Sequence, residues 1–398
     1  MDIADSPYDF SRMHEGIQAF IDNGQIAGAN AVVLKDDKVV DYTAWGFADV
    51  ATEGPIEPDT IFRLFSNTKI VTSVAVMCLL EDGCFDLDDP VEKYLPQLAN
   101  RQVLRADAAN LDDTEAASAP PTIRQLTCHN AGFSYGFLQQ SLVDASYNKR
   151  LVQDPGSTLT DMIDKLADLP LAYQPGSRWQ YSVSTDILAR LVEVWSGQTF
   201  GEFLSARIFG PLGMRDTGFY VPVEKHDRLA SNYAPDNPLD PDSRLHHVPE
   251  GPGGYLKPRA LESGGGGLTG TITDYLAFIR MLVNEGATDR GRILKTESVQ
   301  TMRTSQLPAG VAVELPNWVM PDTLFGIGLA IKTVPQPGET AAAIGEYHWG
   351  GMAGTHSWVA PDAKLAGLIF TQRLPGFWHP FSHTFKRLTY QAIENGQP

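Results

Sequence analysis

A long apolar run begins at Phe65 and ends at Leu80, and most of its polar residues are gathered at its head: Ser66, Asn67, Thr68 and Lys69. The pattern predicts a buried helix. Upstream, Phe10, Met13, Ile17, Phe20 and Ile21 recur at helical spacing over residues 8–22. Apolar stretches at 31–34 and 39–45 predict two strands joined by a turn at Lys35, Asp36, Asp37 and Lys38. A short helical piece starts near Leu87, with Asp88 or Asp89 as cap and Pro90 in its first turn. Residues 101–121, rich in Ala and Asp and closed by Pro120 and Pro121, read as a surface excursion.

Between about 122 and 295 helical periods dominate, at 185–195, 200–208 and 272–283. The polar connection 222–262 is long enough to serve as a lid or wall. From Phe325 the pattern returns to strands, at 326–332, 343–349, 356–361 and 365–372, before an amphipathic helix over 380–394. The order is strand pair, helical block, strand run. It predicts an α+β fold, with one sheet built from both chain ends and a helical lobe inserted between them. The expected division is 1–72 with 296–398 for the sheet lobe and 73–295 for the helical lobe, with the site between them.

The chain of 398 residues carries 43% hydrophobic and 20% charged residues, an ordinary balance for a globular protein. Its net charge of −17 argues against nucleic acid and anionic membrane partners. No apolar stretch approaches the ~18 residues of a membrane span. The acidic, polar N-terminus does not resemble a secretory signal. The sparse cysteines Cys78, Cys84 and Cys128 fit a reducing compartment. A cytoplasmic location is therefore expected. Cys128 beside His129 invites a thiol-protease reading, but nothing around them marks an activated thiolate. His246, His247, His348 and His356 lack a metal-binding spacing, so no metal and no organic cofactor is expected.

Ser66 and Lys69 stand three apart, one helical turn on the same face. Burial would strip the amine of its hydration and favour its neutral form, a base beside a hydroxyl. The helix N-terminus adds N–H groups for a developing oxyanion. The same spacing recurs at Ser146 and Lys149, but Arg150, Gln153, Asp154 and Pro155 follow and mark a solvated stretch ending in a turn. A turn at Pro175 and Gly176 leads to Tyr181, whose phenol is a candidate proton carrier. Trp349, Gly350 and Gly351 end a predicted strand, where glycines admit close approach and the Met352 N–H is a candidate second oxyanion donor. Gly265 to Gly270 satisfy a dinucleotide-binding spacing only formally, since no βαβ unit surrounds them. No nucleophile elbow of the α/β-hydrolase kind is present.

These segments resemble, in order, the motifs of the serine β-lactamase and penicillin-binding-protein superfamily, most closely its family VIII carboxylesterases. Phe65 to Lys69 resembles the nucleophile motif and Leu126 to Gly132 a second family segment. Pro175 to Ser182 resembles the tyrosine segment. Pro211 to Met214 with Asp216 and Thr217, and Gly265 to Leu268, resemble two more. His348 to Gly351 stands where β-lactamases carry Lys-Thr-Gly. The resemblance implies a β-lactamase/transpeptidase-like fold, with an antiparallel sheet flanked by helices. It also implies Ser66 as nucleophile, with Lys69 and Tyr181 handling its proton.

Two departures bear on substrate. Val183 replaces the asparagine of the β-lactamase Tyr-x-Asn, and Trp349 replaces the lysine of Lys-Thr-Gly. Both remove polar handles for an amide-and-carboxylate substrate, which favours an apolar ester. Phe133, Tyr135 and Trp378 are the expected aromatic lining. The expected activity is hydrolysis of short- to medium-chain carboxylic esters through an acyl-enzyme on Ser66. The alternatives are a β-lactamase or D-amino-acid peptidase, an acyltransferase using the same acyl-enzyme, and a non-catalytic binding protein. The presence of Ser66, Lys69 and Tyr181 together opposes the last. The expected partner is a small-molecule ester, and the sequence leaves the oligomeric state open.

Overall fold

A computed structural model describes residues 2–251, 254–315 and 318–396, the side chains of 318 and 319 excepted. Eight strands form one sheet: β1 (Gly28–Lys35), β2 (Lys38–Asp49), β3 (Gly54–Pro55), β4 (Thr323–Phe325), β5 (Ala330–Lys332), β6 (Tyr347–Gly350), β7 (His356–Ala360) and β8 (Leu365–Thr371). Their order is β4-β5-β6-β7-β8-β1-β2-β3, and every neighbouring pair is antiparallel. The two chain ends meet where β1 pairs with β8, Ala29 opposite Thr371 and Lys35 opposite Leu365. Asp36 and Asp37 make the two-residue turn between β1 and β2, both left-handed with φ of 50° and 64°. That turn twists in the sense the strands require.

Both faces of the sheet are covered, so its central strands are apolar on successive residues rather than on alternate ones. Ala29, Ala31 and Val33 pack with Met13 and Ile17 of α1 (Ser11–Asp22) and with Phe381 and Phe385 of the C-terminal helix (Pro380–Asn395). Val32, Leu34, Leu368 and Phe370 face the other way, into the larger core shared with the helical lobe. Burying each large aliphatic or aromatic side chain there stabilises by about 1.5–3 kcal/mol.

The predicted helix at the apolar run is α2 (Thr68–Glu81), preceded by one tighter turn over Phe65–Asn67. Twelve of its 14 residues are buried, which makes it the central helix of the lobe rather than a surface one. It packs against α3 (Ser184–Ser196). No helix among the described residues is long and apolar enough to cross a membrane.

The strand expected over 326–332 is only β5. Gly326, Ile327 and Gly328 leave the ladder because the N–H groups of Ile327 and Gly328 donate to the carbonyls of Met302 and Thr127 instead. The strand expected over 343–349 begins at Tyr347, after a helical turn over Ala341–Ala343 and a left-handed Gly345. The helix expected over 200–208 is Phe200–Leu204, continued by wider turns over Ser205–Phe209. Residues 101–121 contain a small hairpin, Gln102–Leu104 against Thr114–Ala116. The 222–262 connection contains another, Asn232–Pro235 against Leu245–Val248.

Candidate active site

Ser66 sits where the end of the sheet meets the helical lobe, and its turn is tied to both. Asn67 Nδ2 donates to the Thr355 carbonyl at 3.0 Å, while its Oδ1 accepts from Ser357 at 3.0 Å. Thr355 donates to the Leu64 carbonyl at 2.9 Å, and the Tyr275 hydroxyl donates to the Asn67 carbonyl at 2.9 Å. Within this frame Phe65 is left-handed, φ 44°, a conformation that a bulky side chain adopts only when its surroundings hold it there. The Ser66 hydroxyl does not cap the helix. It accepts a hydrogen bond from Lys69 Nζ at 3.2 Å.

Lys69 is fully buried and donates a second hydrogen bond, 2.5 Å, to the carbonyl of Gly265. That carbonyl is held in place from behind. Asp186, in the first turn of α3, accepts from the Gly265 N–H at 3.0 Å and from the Ser263 hydroxyl at 2.5 Å. A side chain at 265 would run into the Asp186 carboxylate and the Tyr135 hydroxyl, so only glycine lets this backbone pass. Burial raises the Asp186 carboxyl above its ordinary range, against the nearby Lys69 charge and these hydrogen bonds.

Tyr181 lies over the pair. Its ring centroid is 4.5 Å from Lys69 Nζ, and its hydroxyl accepts from Trp349 Nε1 at 3.2 Å. Tyr135 packs on Tyr181 with ring centroids 5.1 Å apart, and faces Lys69 at 5.3 Å. His129 closes the back of the Tyr181 ring at 4.9 Å; burial, then the Lys69 charge, hold its imidazole well below the usual range. A cleft opens in front of Ser66, with Tyr181, Trp349, Gly350 and Met352 in its wall. Among the described residues this wall carries no Lys, Arg, Asp or Glu.

Residues 14–389 match the model of the Beta-lactamase family. The chain belongs to the β-lactamase family. Within it, the chain is 34% identical to Protein Rv1367c of Mycobacterium tuberculosis over 366 residues, covering 90% of this chain and 89% of that one. It is 31% identical to Esterase EstB of Burkholderia gladioli, also over 366 residues, covering 87% and 86%. The fold superposes on the structure of EstCE1, a hydrolase with promiscuous acyltransferase activity, with a TM-score of 0.80, at 26% identity and with 95% and 97% of the two chains covered. This member of the β-lactamase family is a serine hydrolase, with esterases among its relatives.

The fold brings Ser66, Lys69, Tyr181, Trp349, Gly350 and Met352 together at this cleft. Five expected lining residues are placed elsewhere. Phe133 is wholly buried in the core, and exposed Phe137, stacked on Tyr135, lines the cleft instead. Val183 is also wholly buried, with its N–H on the Ser134 carbonyl, because it opens α3. Gly351 is pressed on the Leu64 carbonyl and Thr355, contacts that a side chain would destroy. Trp378 stands edge-on to Phe377, which takes the lining position. Tyr135 lies one layer back, against Lys69.

Sequence reasoning missed Leu315, Met320, His348, His356 and Phe377 in the cleft wall, and Asp186 behind it. His356 was legible in principle, since it pairs across the ladder with Gly350. The alternative pairs fall away. Lys149 is exposed on a surface helix. Burial pushes the Cys128 thiol up to about 12, despite nearby Arg124.

Proposed function

We propose that this protein is a family VIII-type carboxylesterase that hydrolyses short- to medium-chain esters through an acyl-enzyme on Ser66. The observation that carries the reading is the 3.2 Å hydrogen bond from buried Lys69 to Ser66 at the floor of a cleft whose described wall residues include no Lys, Arg, Asp or Glu. Ser66 Oγ attacks the ester carbonyl carbon, and Lys69, coupled to Tyr181, takes the hydroxyl proton. The N–H groups of Ser66 and Met352 receive the oxyanion. The carbon–oxygen bond to the alkoxide then breaks, and the proton passes through Tyr181 to the leaving oxygen. Water, deprotonated by the same pair, attacks the acyl carbon; the carboxylic acid leaves and Ser66 regains its proton. Whether the base is Lys69 or Tyr181 is a property of the coupled pair.

Trp349 in place of a lysine supports esters over β-lactams, whose turnover would be a weak side activity. A second reading, acyl transfer to an alcohol, differs only in which acceptor reaches the acyl-enzyme. The likeness to EstCE1, a hydrolase that also transfers acyl groups, favours keeping it. The test compares p-nitrophenyl butyrate with nitrocefin, using wild type and Ser66→Ala, with intact mass of the quenched enzyme. Ester turnover well above nitrocefin turnover, lost in the variant, with any trapped acyl mass on Ser66, is the expected result. Nitrocefin dominance would overturn it, and ester turnover that rises with added alcohol acceptor would favour acyl transfer.

A further inference from the structure

A second cavity lies beside the cleft and shares Met320, His348, Trp349, His356 and Phe377 with it. Its far wall is Lys332 on β5 with Ser382, His383 and Lys386 on the C-terminal helix. Val334 and Gln336, both exposed, stand at its edge.

The charges in its wall are already matched. Lys332 Nζ lies 2.5 Å from Glu339 and 3.4 Å from Glu346, and Lys386 Nζ lies 2.6 Å from Glu346. The Tyr390 hydroxyl takes the other Glu346 oxygen at 2.8 Å. Two ammonium groups thus meet two carboxylates, and an entering anion would find no uncompensated cation. The imidazoles are neutral near pH 7. Burial, then the Lys386 charge, hold His348 down to about 4, against the pull of Glu346. Burial and Lys386 bring His383 down to about 4 as well. His348 Nδ1 lies 3.2 Å from Glu346, and a neutral imidazole that donates from Nδ1 keeps a lone pair on Nε2, which suits a hydroxyl. His356 Nε2 and Trp358 Nε1, both buried, have no hydrogen-bond partner among the described residues. Orphaned buried groups of this kind are costly unless something polar meets them.

We propose that this cavity is a second substrate subsite, which holds an uncharged hydroxyl- or carbonyl-bearing arm of the ester while the ester carbonyl sits at Ser66. This rests on the esterase reading above and names its substrate class. The arm belongs to either the acyl or the alcohol half, and the test separates the two.

Matched probes decide it. For the acyl half, p-nitrophenyl 6-hydroxyhexanoate is compared with p-nitrophenyl hexanoate; for the alcohol half, 4-hydroxybutyl butyrate with butyl butyrate. One hydroxylated probe is expected to exceed its partner about 5-fold in kcat/KM, the size of one good hydrogen bond. A p-nitrophenyl ester ending in a carboxylate should fall below both acyl probes. Ser382→Phe, which fills the cavity, and Val334→Trp, which narrows its exposed edge, should each bring the ratio close to one. Each value is a ratio within one enzyme, so a general loss of activity does not move it. In Ser66→Ala protein, saturation-transfer NMR should detect 6-hydroxyhexanamide or 1,4-butanediol, whichever carries the favoured arm, and lose the signal when Ser382→Phe is added. Equal rates within both pairs, a ratio that survives both substitutions, or a preferred carboxylate probe would overturn the subsite. Failure of wild type to turn over p-nitrophenyl butyrate would count against the esterase reading instead. The NMR comparison, run with both compounds, would then decide the cavity alone.

Discussion

The indole N–H of Trp349 donates to the hydroxyl of Tyr181 across 3.2 Å. One residue lies in β6 and the other just before α3, so the bond joins the sheet to the segment that leads into α3. It uses a lone pair of the phenol oxygen and leaves the phenol proton to point elsewhere. In the mechanism proposed above, that proton goes to the leaving oxygen. Trp349 then does more than replace a cation with an apolar wall, because it also orients the proton carrier.

Trp349→Phe keeps most of the wall and deletes the N–H. Turnover of p-nitrophenyl butyrate is expected to drop about 10-fold in kcat, a loss of one oriented hydrogen bond. KM should change less, and the urea midpoint should stay close to wild type. A change confined to KM would reduce Trp349 to a wall.

Lys69→Met replaces the buried amine with an uncharged chain of similar length. A loss of about 10³ in kcat is expected, with the protein still folded by circular dichroism. A kcat within a few-fold of wild type would remove Lys69 from the chemistry and leave Tyr181 as the base.

Asp186→Ala strands the Gly265 N–H and the Ser263 hydroxyl, both of which donate to this carboxylate. Stability should fall by about 2–4 kcal/mol in urea unfolding. The Gly265 carbonyl that holds Lys69 loses its anchor, so kcat should fall as well, about 10-fold. Asp186→Asn keeps an acceptor oxygen and should recover most of both. A variant with normal kcat and reduced stability would make Asp186 purely structural.

Stability should decline as pH falls from about 6.5 toward 4. His379 is fully buried; its Nδ1 accepts from the Phe381 N–H, so its Nε2 donates to the Pro241 carbonyl at 3.0 Å. Protonation would set two donors against each other. Burial, then the Arg373 charge, hold this imidazole down to about 4. An unfolded histidine titrates near ~6.5. Below that pH the unfolded chain binds the proton first, so the contribution is fully present above ~6.5 and is lost as pH approaches 4. His348 and His383 act in the same sense. Urea midpoints measured from pH 7.5 to 4.5 should fall accordingly, and His379→Asn should flatten part of the slope. A flat profile in wild type would contradict the buried neutral state.

What the sequence determined by itself was set by short-range geometry. Ser66 and Lys69 share a face because three residues make almost one helical turn, and no other part of the fold is needed to bring them together. The turn at Asp36 and Asp37 and the apolar strands on either side follow from local twist and periodicity in the same way. The sheet built from both chain ends was legible because strand patterns stand at both ends of the chain.

The tertiary structure decided the rest. Asp186 reaches Gly265 only because α3 packs on α2, and an acidic residue in a first helical turn reads from sequence as an ordinary helix start. Phe137 rather than Phe133, and Phe377 rather than Trp378, face the cleft, although residue type gives no reason to prefer either. Gly326 to Gly328 leave the predicted strand because the carbonyls of Met302 and Thr127 take two of the N–H groups in that stretch. In each case the deciding contact joins residues far apart in the chain. Local propensity does not encode such contacts, and they form only when the two faces of the sheet bury their apolar side chains against the helices.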